Sequence, residues 1–285
     1  MAITRPAAIT QKQVGSFLAA RPSDSHKGQF GTAAIIGGNK GMTGAALLAG
    51  RAALKLGAGC VHVGLLCDNA PAVDFQQAEL MLHSAATALT LARLDVIAIG
   101  CGMGTDLAAQ KILHDALKLE VPLILDADAL NILSLRPDLR SLLLTRKAAS
   151  MITPHPGEAA RLLDTDSAAI QAERTASAQA LAQRLRCNVV LKGAGSLCVS
   201  STGKTWRNST GNPGMSGPGM GDVLSGMLAA LVAQGLAMEQ AMLLAVHLHG
   251  AAGDALAQQQ AGIGMTASEV TEWSRWLLNQ WMKPE

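Results

Sequence analysis

The sequence predicts an α/β protein in which a mostly parallel sheet lies between two layers of helices. Short apolar runs alternate along the 285-residue chain with longer segments rich in Ala and Leu. The runs are apolar throughout and show no strict in-and-out alternation, which is typical of strands buried on both faces. An alternating β-then-α order is that of parallel strands joined by helical crossovers.

Each apolar run is assigned to a strand and each longer segment to a helix. The predicted strands are Thr32–Ile36, Cys60–Leu65, Val96–Ile99, Leu123–Leu125, Ser150–Ile152, Val189–Leu191 and Leu197–Ser200. The predicted helices are Gly44–Leu56, Asp106–Leu117, Gly157–Leu163, Ser167–Leu185, Asp222–Ala233, Glu239–Gln258 and Ala267–Gln280. Thr266 and Glu269 have the spacing of a capping box at the start of the last helix. No linker, repeat or charge run divides the chain, so we predict one domain over residues 1–285.

Composition excludes several classes of protein. With 49% hydrophobic and 15% charged residues, the chain is neither disordered nor a small disulfide scaffold. Aromatic residues make up 2%, too few to stack the bases of single-stranded nucleic acid. The net charge of +2 is spread along the chain and offers no basic stripe for a duplex. We therefore expect no nucleic-acid partner.

The cysteines and the apolar segments predict a cytoplasmic protein. There are five cysteines with no C-x-x-C spacing, which favours neither a disulfide framework nor a zinc site. The N-terminus lacks the apolar core of a signal peptide. The most apolar stretch, Val223 to Met238, is shorter than the roughly 20 residues of a bilayer span. We expect a buried core helix there and no membrane partner.

The strongest chemical signal is the glycine-rich segment that leads to Asp222. Several glycines precede the point where an apolar helix is predicted to begin. Successive backbone N–H groups at a helix N-terminus can surround a phosphoryl group. Asp222 would then take a proton from the hydroxyl that attacks phosphorus. The alternative is that Asp222 only caps the helix.

The segment TPHPGE, residues 153–158, follows a predicted strand and opens a helix. Pro154 and Pro156 fix the backbone, so that His155 lies in a rigid loop. Glu158 falls in the first helical turn, where it could hold a hydrated Mg²⁺ near phosphates. The alternatives are a turn histidine bonded to the backbone and a glutamate that complements the helix dipole.

The segment KGAGS joins two predicted strands. It consists of Lys192, Gly193, Ala194, Gly195 and Ser196. A lysine beside free backbone donors suits a nucleotide phosphate or ribose. A plain turn is the alternative.

Two more glycine loops follow strands, at residues 37–44 and 100–104. Neither is a strict dinucleotide fingerprint or a P-loop. Their position after strands, like that of Asp126 and Asp128, places them at the edge of the sheet where ligands bind in this class of fold. The two aspartates either orient groups there or form a turn.

The remaining histidine pair and the C-terminal tryptophans are weaker candidates for a functional site. His247 and His249 lie two residues apart on one predicted helix, so a metal ion shared between them is not expected. Trp273, Trp276 and Trp281 are expected to pack against the body of the protein or a second subunit.

Taken together, the motifs TPHPGE, KGAGS, GNPGM…GMGDVLSG, GGNKGMTGAA and GCGMGT resemble those of the ADP-dependent NAD(P)H-hydrate dehydratases of the ribokinase-like superfamily. The likeness runs from about Lys27 to the last helix. It implies a ribokinase-like three-layer sandwich and a nucleotide-repair lyase. Such an enzyme dehydrates the S epimer of hydrated NADH or NADPH with ADP and Mg²⁺, and releases AMP and phosphate.

The resemblance also implies roles for individual residues. The set expected to bind the hydrate is Ala45, Gly104, His155 and Asp222, with Asp222 as the base. The set expected to bind the AMP moiety is Lys192, Gly193, Ala194, Gly195, Ser196 and Gly221. His155 stands where the wider superfamily usually has Asn, which favours the dehydratase branch over a vitamin kinase.

The chain departs from the family pattern at two places and lacks a fused partner domain. Pro218 removes one N–H donor from the glycine loop, and Cys101 stands where Pro is common. No segment before Lys27 is long enough for the epimerase domain that often accompanies this one, so we expect a separate epimerase as functional partner. The resemblance further implies a homo-oligomer, expected to be a tetramer.

Two other functions compete with the dehydratase. A small-molecule kinase of the same fold would share the phosphate cradle and the base, but its phosphorylated product would accumulate. A nucleotide-binding regulator without turnover would have no need for Asp222 and Glu158.

Overall fold

The computed structural model describes residues 5–17, 20–259 and 262–282. These residues form one ten-stranded sheet with the strand order β1-β10-β9-β8-β7-β6-β5-β2-β3-β4. The strands are β1 (Ala7–Ala8), β2 (Thr32–Gly37), β3 (Cys60–Leu65), β4 (Met81–Ser84), β5 (Val96–Ile99), β6 (Leu123–Leu125), β7 (Ser150–Ile152), β8 (Asn188–Leu191), β9 (Leu197–Val199) and β10 (Thr205–Arg207). Only β9 runs antiparallel to both of its neighbours, β8 and β10, so the predicted mostly parallel sheet is confirmed.

Helices cover both faces of the sheet. They are α1 (Gln11–Gly15), α2 (Thr43–Lys55), α3 (Ala85–Leu89), α4 (Leu107–Leu117), α5 (Ala127–Leu135), α6 (Pro137–Thr145), α7 (Pro156–Leu163), α8 (Ser167–Ala172), α9 (Arg174–Leu185), α10 (Met220–Ala233), α11 (Met238–Gln259) and α12 (Ala267–Trp281). Short 3₁₀ turns lie at Lys27–Phe30 and Pro213–Met215. No helix in the described ranges has the length and apolar character that a bilayer crossing requires.

Alternate residues of each central strand contribute to different cores. Ala33 and Ile35 of β2 are buried with α2, α10, α11 and α12, whereas Ala34 and Ile36 are buried with α3 to α9. Because side chains alternate across a strand, an apolar run supplies both cores at once. The predicted three-layer architecture is confirmed by this arrangement.

Some predicted boundaries are wrong. The predicted helix over residues 167–185 is two helices, since Glu173 leaves the helical region with φ −125° and ψ 47°. The predicted helix at Asp222 begins earlier, at Met220. The prediction also omitted the short strands β1, β4 and β10 and the helices α1, α3, α5 and α6.

Helices α2 and α10 pack with their backbones in contact. A Cβ atom on Gly226 would lie 2.0 Å from the Ala49 carbonyl oxygen. Glycine at this position therefore permits an approach that no larger residue allows. The contact holds the middle of α10 against the middle of α2.

Candidate active site

The predicted motifs meet at the carboxyl ends of the parallel strands. The 37–44 loop follows β2, the 100–104 loop follows β5, Asp126 follows β6 and TPHPGE follows β7. Lys192 follows β8, and its backbone N–H donates to the Pro154 carbonyl at 2.9 Å. Ligands bind at this edge in open α/β sheets, so the structure brings the sequence-predicted residues to one place.

The phosphate cradle is the first turn of α10. Gly219 precedes the helix in the left-handed conformation, with φ 85°, and no side chain caps the turn. The first N–H groups of a helix have no acceptor within it, so those of Met220, Gly221 and Asp222 are available to an anion. Pro218 lies outside this turn. The cradle therefore does not depend on the donor that Pro218 removes.

Asp222 is the third residue of α10, not its cap. The hypothesis that Asp222 only caps the helix is wrong, because Gly219 occupies the capping position. Burial raises the pKa of the Asp222 carboxyl, a hydrogen bond with the Cys101 thiol lowers it, and the nearby Asp126 carboxylate raises it, with a net rise. A carboxylate that holds its proton more tightly than usual is a stronger base once ionised.

Lys192 and Asp126 form a buried ion pair. The Lys192 Nζ lies 2.6 Å from Asp126 Oδ1, with side-chain exposures of 19% and 3%. Ser225 donates to Asp126 Oδ2 at 2.7 Å. Burial lowers the pKa of Lys192, but Asp126 and Glu158 raise it by more, so the ammonium is kept charged. Asp126 holds the Lys192 ammonium and also caps α5 through the Ala127 N–H, so its local role is that of a helix cap and not of a plain turn.

The lysine also approaches the cradle. A Cβ atom on Gly221 would lie 3.3 Å from the Lys192 Nζ and 3.7 Å from Asp126 Oδ2. Glycine thus leaves space between the ammonium and the first turn of α10. A group held by that turn would contact the positive charge of Lys192.

His155 and Glu158 form the capping box of α7. His155 Nδ1 accepts from the N–H groups of Gly157 at 3.0 Å and Glu158 at 3.4 Å, and the His155 N–H donates to Glu158 Oε2 at 2.8 Å. An accepting Nδ1 places the proton of the neutral ring on Nε2, which lies 3.2 Å from Glu158 Oε1. The local roles considered for both residues are therefore observed. The His155 side chain is still 50% exposed, so its ring remains accessible to a substrate.

Burial and the nearby Lys192 charge shift the pKa values of His155 and Glu158. Burial lowers the pKa of His155, and the nearby Lys192 lowers it further. Burial raises the pKa of Glu158, with Lys192 opposing that shift. A neutral histidine and a buried glutamate therefore line the cleft beside the Lys192 ammonium, whose Nζ lies 4.0 Å from Glu158 Oε2.

The two early glycine loops are bonded to each other. Gly38 N–H donates to the Cys101 carbonyl at 2.9 Å, and Asn39 N–H donates to the Gly102 carbonyl at 2.7 Å. The Gly104 N–H donates to Asp128 Oδ2 at 2.9 Å. The Ala45 methyl group lies against Gly102, where an added Cβ atom would be 3.1 Å away. Ala45 and Gly104 therefore both lie where the two loops meet.

The KGAGS segment is the hairpin between β8 and β9 and lines a cavity of about 1100 Å³. Gly193 and Gly195 adopt φ angles of 130° and 67°, which glycine favours. Gly221 lines the same cavity. The segment is both a hairpin turn and a wall of a ligand-sized space, so all the residues expected to bind AMP share one cavity.

Sequence reasoning missed several residues of the site. Cys101 was noted only as a departure from a pattern, yet its thiol bonds the Asp222 carboxylate and its carbonyl joins the two glycine loops. Ser225 gave no signal beyond its place in an apolar helix, and it bonds Asp126. His249 was considered only as a metal ligand and rejected in that role, yet it lines the cavity. A polar residue in an otherwise apolar helix was the signal available for Ser225 and His249.

The donor set suits Mg²⁺ in part. Within residues 5–17, 20–259 and 262–282, no group of three metal-binding side chains forms a closed site. Mg²⁺ commonly uses one or two carboxylates together with phosphates and water. Glu158 and Asp126 supply such carboxylates, although each already accepts hydrogen bonds.

Comparison with known sequences gives consistent matches. Residues 33–275 match the family model described as NAD(P)H-hydrate dehydratase. The chain is 42% identical over 267 residues to the ADP-dependent (S)-NAD(P)H-hydrate dehydratase of Neisseria meningitidis serogroup B, which covers 92% of this chain and 89% of that enzyme. It is 38% identical over 269 residues to the bifunctional NAD(P)H-hydrate repair enzyme Nnr of Escherichia coli, covering 92% of this chain and 50% of the enzyme. The chain thus spans half the length of that bifunctional relative.

Solved structures extend the comparison. The ADP/ATP-dependent NAD(P)H-hydrate dehydratase of Bacillus subtilis, co-crystallised with ATP and Mg²⁺, has a TM-score of 0.82 at 28% identity, covering 97% of this chain and 99% of that one. A hydroxyethylthiazole kinase from Pyrococcus horikoshii has a TM-score of 0.60 at 16% identity, covering 93% of this chain and 91% of that one. The kinase likeness shows a common fold alone.

Proposed function

Because the chain belongs to the NAD(P)H-hydrate dehydratase family, we propose that it dehydrates the S epimer of hydrated NADH or NADPH at the expense of ADP, giving AMP and phosphate. The resemblance carried by TPHPGE and GMGDVLSG is confirmed by this membership. The observation that carries the proposal is the Asp222 carboxylate in the first turn of α10, beside the available N–H groups and the Lys192 ammonium.

The reaction requires a poor leaving group to become a good one. The hydroxyl on C6 of the hydrated nicotinamide attacks the terminal phosphorus of ADP, a P–O bond to AMP breaks, and AMP leaves. The phosphorylated intermediate then loses phosphate, and the C5 proton leaves with it, which restores the dihydropyridine ring. The net change is the hydrolysis of ADP to AMP and phosphate coupled to loss of water from the hydrate.

In this scheme Asp222 takes the proton of the attacking hydroxyl. Its raised pKa strengthens it as a base. The N–H groups of Gly221 and Asp222 bind the migrating phosphoryl group, since donors that are fixed in place stabilise developing charge without reorganisation. Lys192, held by Asp126, contributes a positive charge beside that group.

The two ends of the cleft accommodate the two substrates. Ala45, Gly104 and His155 bind the hydrate at the end formed by the two early loops and the α7 cap. The residues 192–196 and Gly221 bind the AMP moiety of ADP in the 1100 Å³ cavity. In this proposal Asp222 belongs to the hydrate site and is also the base.

Glu158 is the proposed carboxylate for a hydrated Mg²⁺. The ion, when bound, neutralises phosphate charge. Glu158 is 4% exposed and keeps its orientation through the capping box, so its position does not depend on a ligand. We further propose that the protein is a cytoplasmic homotetramer served by a separate epimerase.

The test is an assay with chemically hydrated NADH, Mg²⁺ and either ADP or ATP. We expect the near-ultraviolet absorbance of reduced nicotinamide to return, with AMP and phosphate formed in equal amounts when ADP is the donor. A small-molecule kinase would instead leave a phosphorylated product. Nucleotide binding without any return of absorbance would favour a regulator and contradict the proposal.

A further inference from the structure

His249 lies in the wall of the nucleotide cavity, and the scheme above gives it no role. The residue belongs to α11 and lines the cavity together with Lys192 and Gly221. Its Nε2 atom is buried and has no protein hydrogen-bond partner in the described part of the chain. Buried polar atoms almost always have a hydrogen-bond partner, so we expect a bound ligand to supply the partner of this nitrogen.

His247, two residues earlier on the same helix, differs in having protein partners. His247 Nδ1 lies 3.2 Å from Asn208 Oδ1, and its ring packs against Trp281 at 5.8 Å between centroids. That side chain has protein partners and is not among the residues that line the cavity. The two histidines therefore point to different faces of α11, as their spacing predicts.

The other unpartnered buried side-chain atom in the described ranges is Ser274 Oγ. Ser274 belongs to α12, is fully buried and does not line the cavity. His249 is thus distinguished by combining an unsatisfied nitrogen with a position at the ligand-sized space.

The ring of His249 is neutral at physiological pH. Burial and the nearby Lys192 ammonium lower the pKa of His249 to about 4, with a hydrogen bond to the Met220 backbone opposing the shift. A neutral imidazole has one donor and one acceptor nitrogen. It therefore adds a directed hydrogen bond to the cavity without adding a second positive charge beside Lys192.

We propose that the Nε2 atom of His249 hydrogen-bonds the AMP moiety of the bound nucleotide on the side next to Gly221, so that His249 is a further nucleotide-binding residue. The proposal rests on the nucleotide site assigned under the proposed function. His249 carries the one aromatic ring among the described residues that line the cavity. Ligand sites are typically fixed in orientation by a small number of such polar contacts.

The test measures ADP binding by calorimetry and by the ADP-induced rise in melting temperature, neither of which needs turnover. In His249→Leu we expect ADP to bind about tenfold more weakly, as the loss of one hydrogen bond predicts. The kcat at saturating ADP should change little, so that the effect lies in KM. The matched control is His247→Leu, which should melt at a lower temperature and bind ADP as the wild type does.

Two conservative variants separate binding from structure. A glutamine amide can reach the position of Nε2, whereas an asparagine amide reaches only that of Nδ1. We expect His249→Gln to retain most of the ADP affinity and His249→Asn to lose it. Equal losses in His249→Gln, His249→Asn and His249→Leu, in proportion to their loss of melting temperature without ADP, would show a purely structural role and overturn the proposal.

Failure of this proposal differs from failure of the proposed function. Wild-type protein that binds ADP, together with His249→Leu of unchanged affinity, overturns the role of His249 alone. Wild-type protein that binds no ADP overturns the nucleotide site and His249 with it.

Discussion

Lys192 and the four residues after it are neighbours in sequence but are held in place differently. Lys192 is bound by side chains from distant segments, Asp126 at 2.6 Å and Glu158 at 4.0 Å. The residues 193–196 are shaped by their own backbone, with two glycines at positive φ and a Ser196 hydroxyl that donates to the Gly193 carbonyl at 3.0 Å. We call these regions the ionic cluster (Asp126, Glu158, Lys192 and Ser225) and the nucleotide hairpin (residues 193–196).

The difference shows how stability and function can be separated at one site. Charges buried together contribute to folding and to chemistry at once, since removal of one partner leaves the other uncompensated. A hairpin with exposed residues, such as Gly193 and Ala194, contributes little to the core. Changes in the ionic cluster should therefore affect folding and activity together, and changes in the nucleotide hairpin should affect mainly the ligand.

The largest expected effect is at Asp222, which belongs to neither region and where activity should fall without a loss of stability. Asp222→Asn should lower the rate of hydrate conversion by roughly 10²–10⁴-fold, the contribution of a positioned base. The fold should be unharmed, because burial makes ionised Asp222 unfavourable in the folded protein and the amide removes that penalty. Steady-state kinetics and melting temperature check both statements. Turnover like that of the wild type would remove Asp222 from its assigned role.

The next effect tests the ionic cluster. Asp126→Asn should lower the free energy of unfolding by about 3 kcal/mol, because the buried Lys192 ammonium loses the carboxylate at 2.6 Å and keeps only Glu158 at 4.0 Å. ADP binding should fall in the same variant. Denaturant unfolding measures the first change and calorimetry the second. Asp138→Asn is the control, since it breaks a solvent-exposed pair with Arg136 and should change stability little.

Acid should separate activity from stability at Asp222. A folded-state pKa raised above the unfolded value means that the native protein binds this proton more tightly, so the contribution of Asp222 to stability grows as pH falls through that pKa. Activity has the opposite sign, because the base must be ionised. We expect kcat/KM to fall about tenfold per pH unit on the acid limb, beginning at a higher pH than an ordinary aspartate would cause. A profile flat down to the ordinary range would contradict the raised pKa.

The smallest effect concerns the nucleotide hairpin. Gly195→Ala places a methyl group at φ 67° and 2.8 Å from the Arg207 Nε, an arginine that can move. The backbone strain should cost about 1–2 kcal/mol, with ADP affinity reduced a few-fold. Gly203→Ala carries the same strain at φ 89° with open space around it and lies outside the cavity. Equal ADP affinities in the two variants would show that the hairpin does not bind the nucleotide.

Sequence patterns predicted the parts of the fold that are apolar and continuous. The central strands β2, β3, β5, β6 and β7 are buried runs, and their limits were predicted to within one residue. The edge strands β1 and β4 carry exposed or half-buried residues, so hydrophobicity gave no signal for them. Propensity also failed at Glu173, where a backbone turn interrupts an otherwise uniform helical pattern.

The candidate site also has a part that the sequence predicts and a part that it does not. Motifs whose residues are contiguous, such as KGAGS and GMGD, could be recognised in the sequence alone. The pairing of Lys192 with Asp126 joins residues 66 positions apart, and the bond of Ser225 to Asp126 joins residues 99 positions apart. Such pairs arise from the order of strands in the sheet, which the sequence-based prediction did not include. The packing of the helices also decides that His249 Nε2 has no hydrogen-bond partner, so the sequence gives no sign of it.

The contact between Gly226 and Ala49 joins main chain to main chain, with no side chain in between to compress or to rotate. Ala45 on α2 and Asp222 on α10 each lie four residues, about one helical turn, before this contact. Any residue larger than glycine at position 226 would therefore push the two helices apart and displace both of these residues relative to each other.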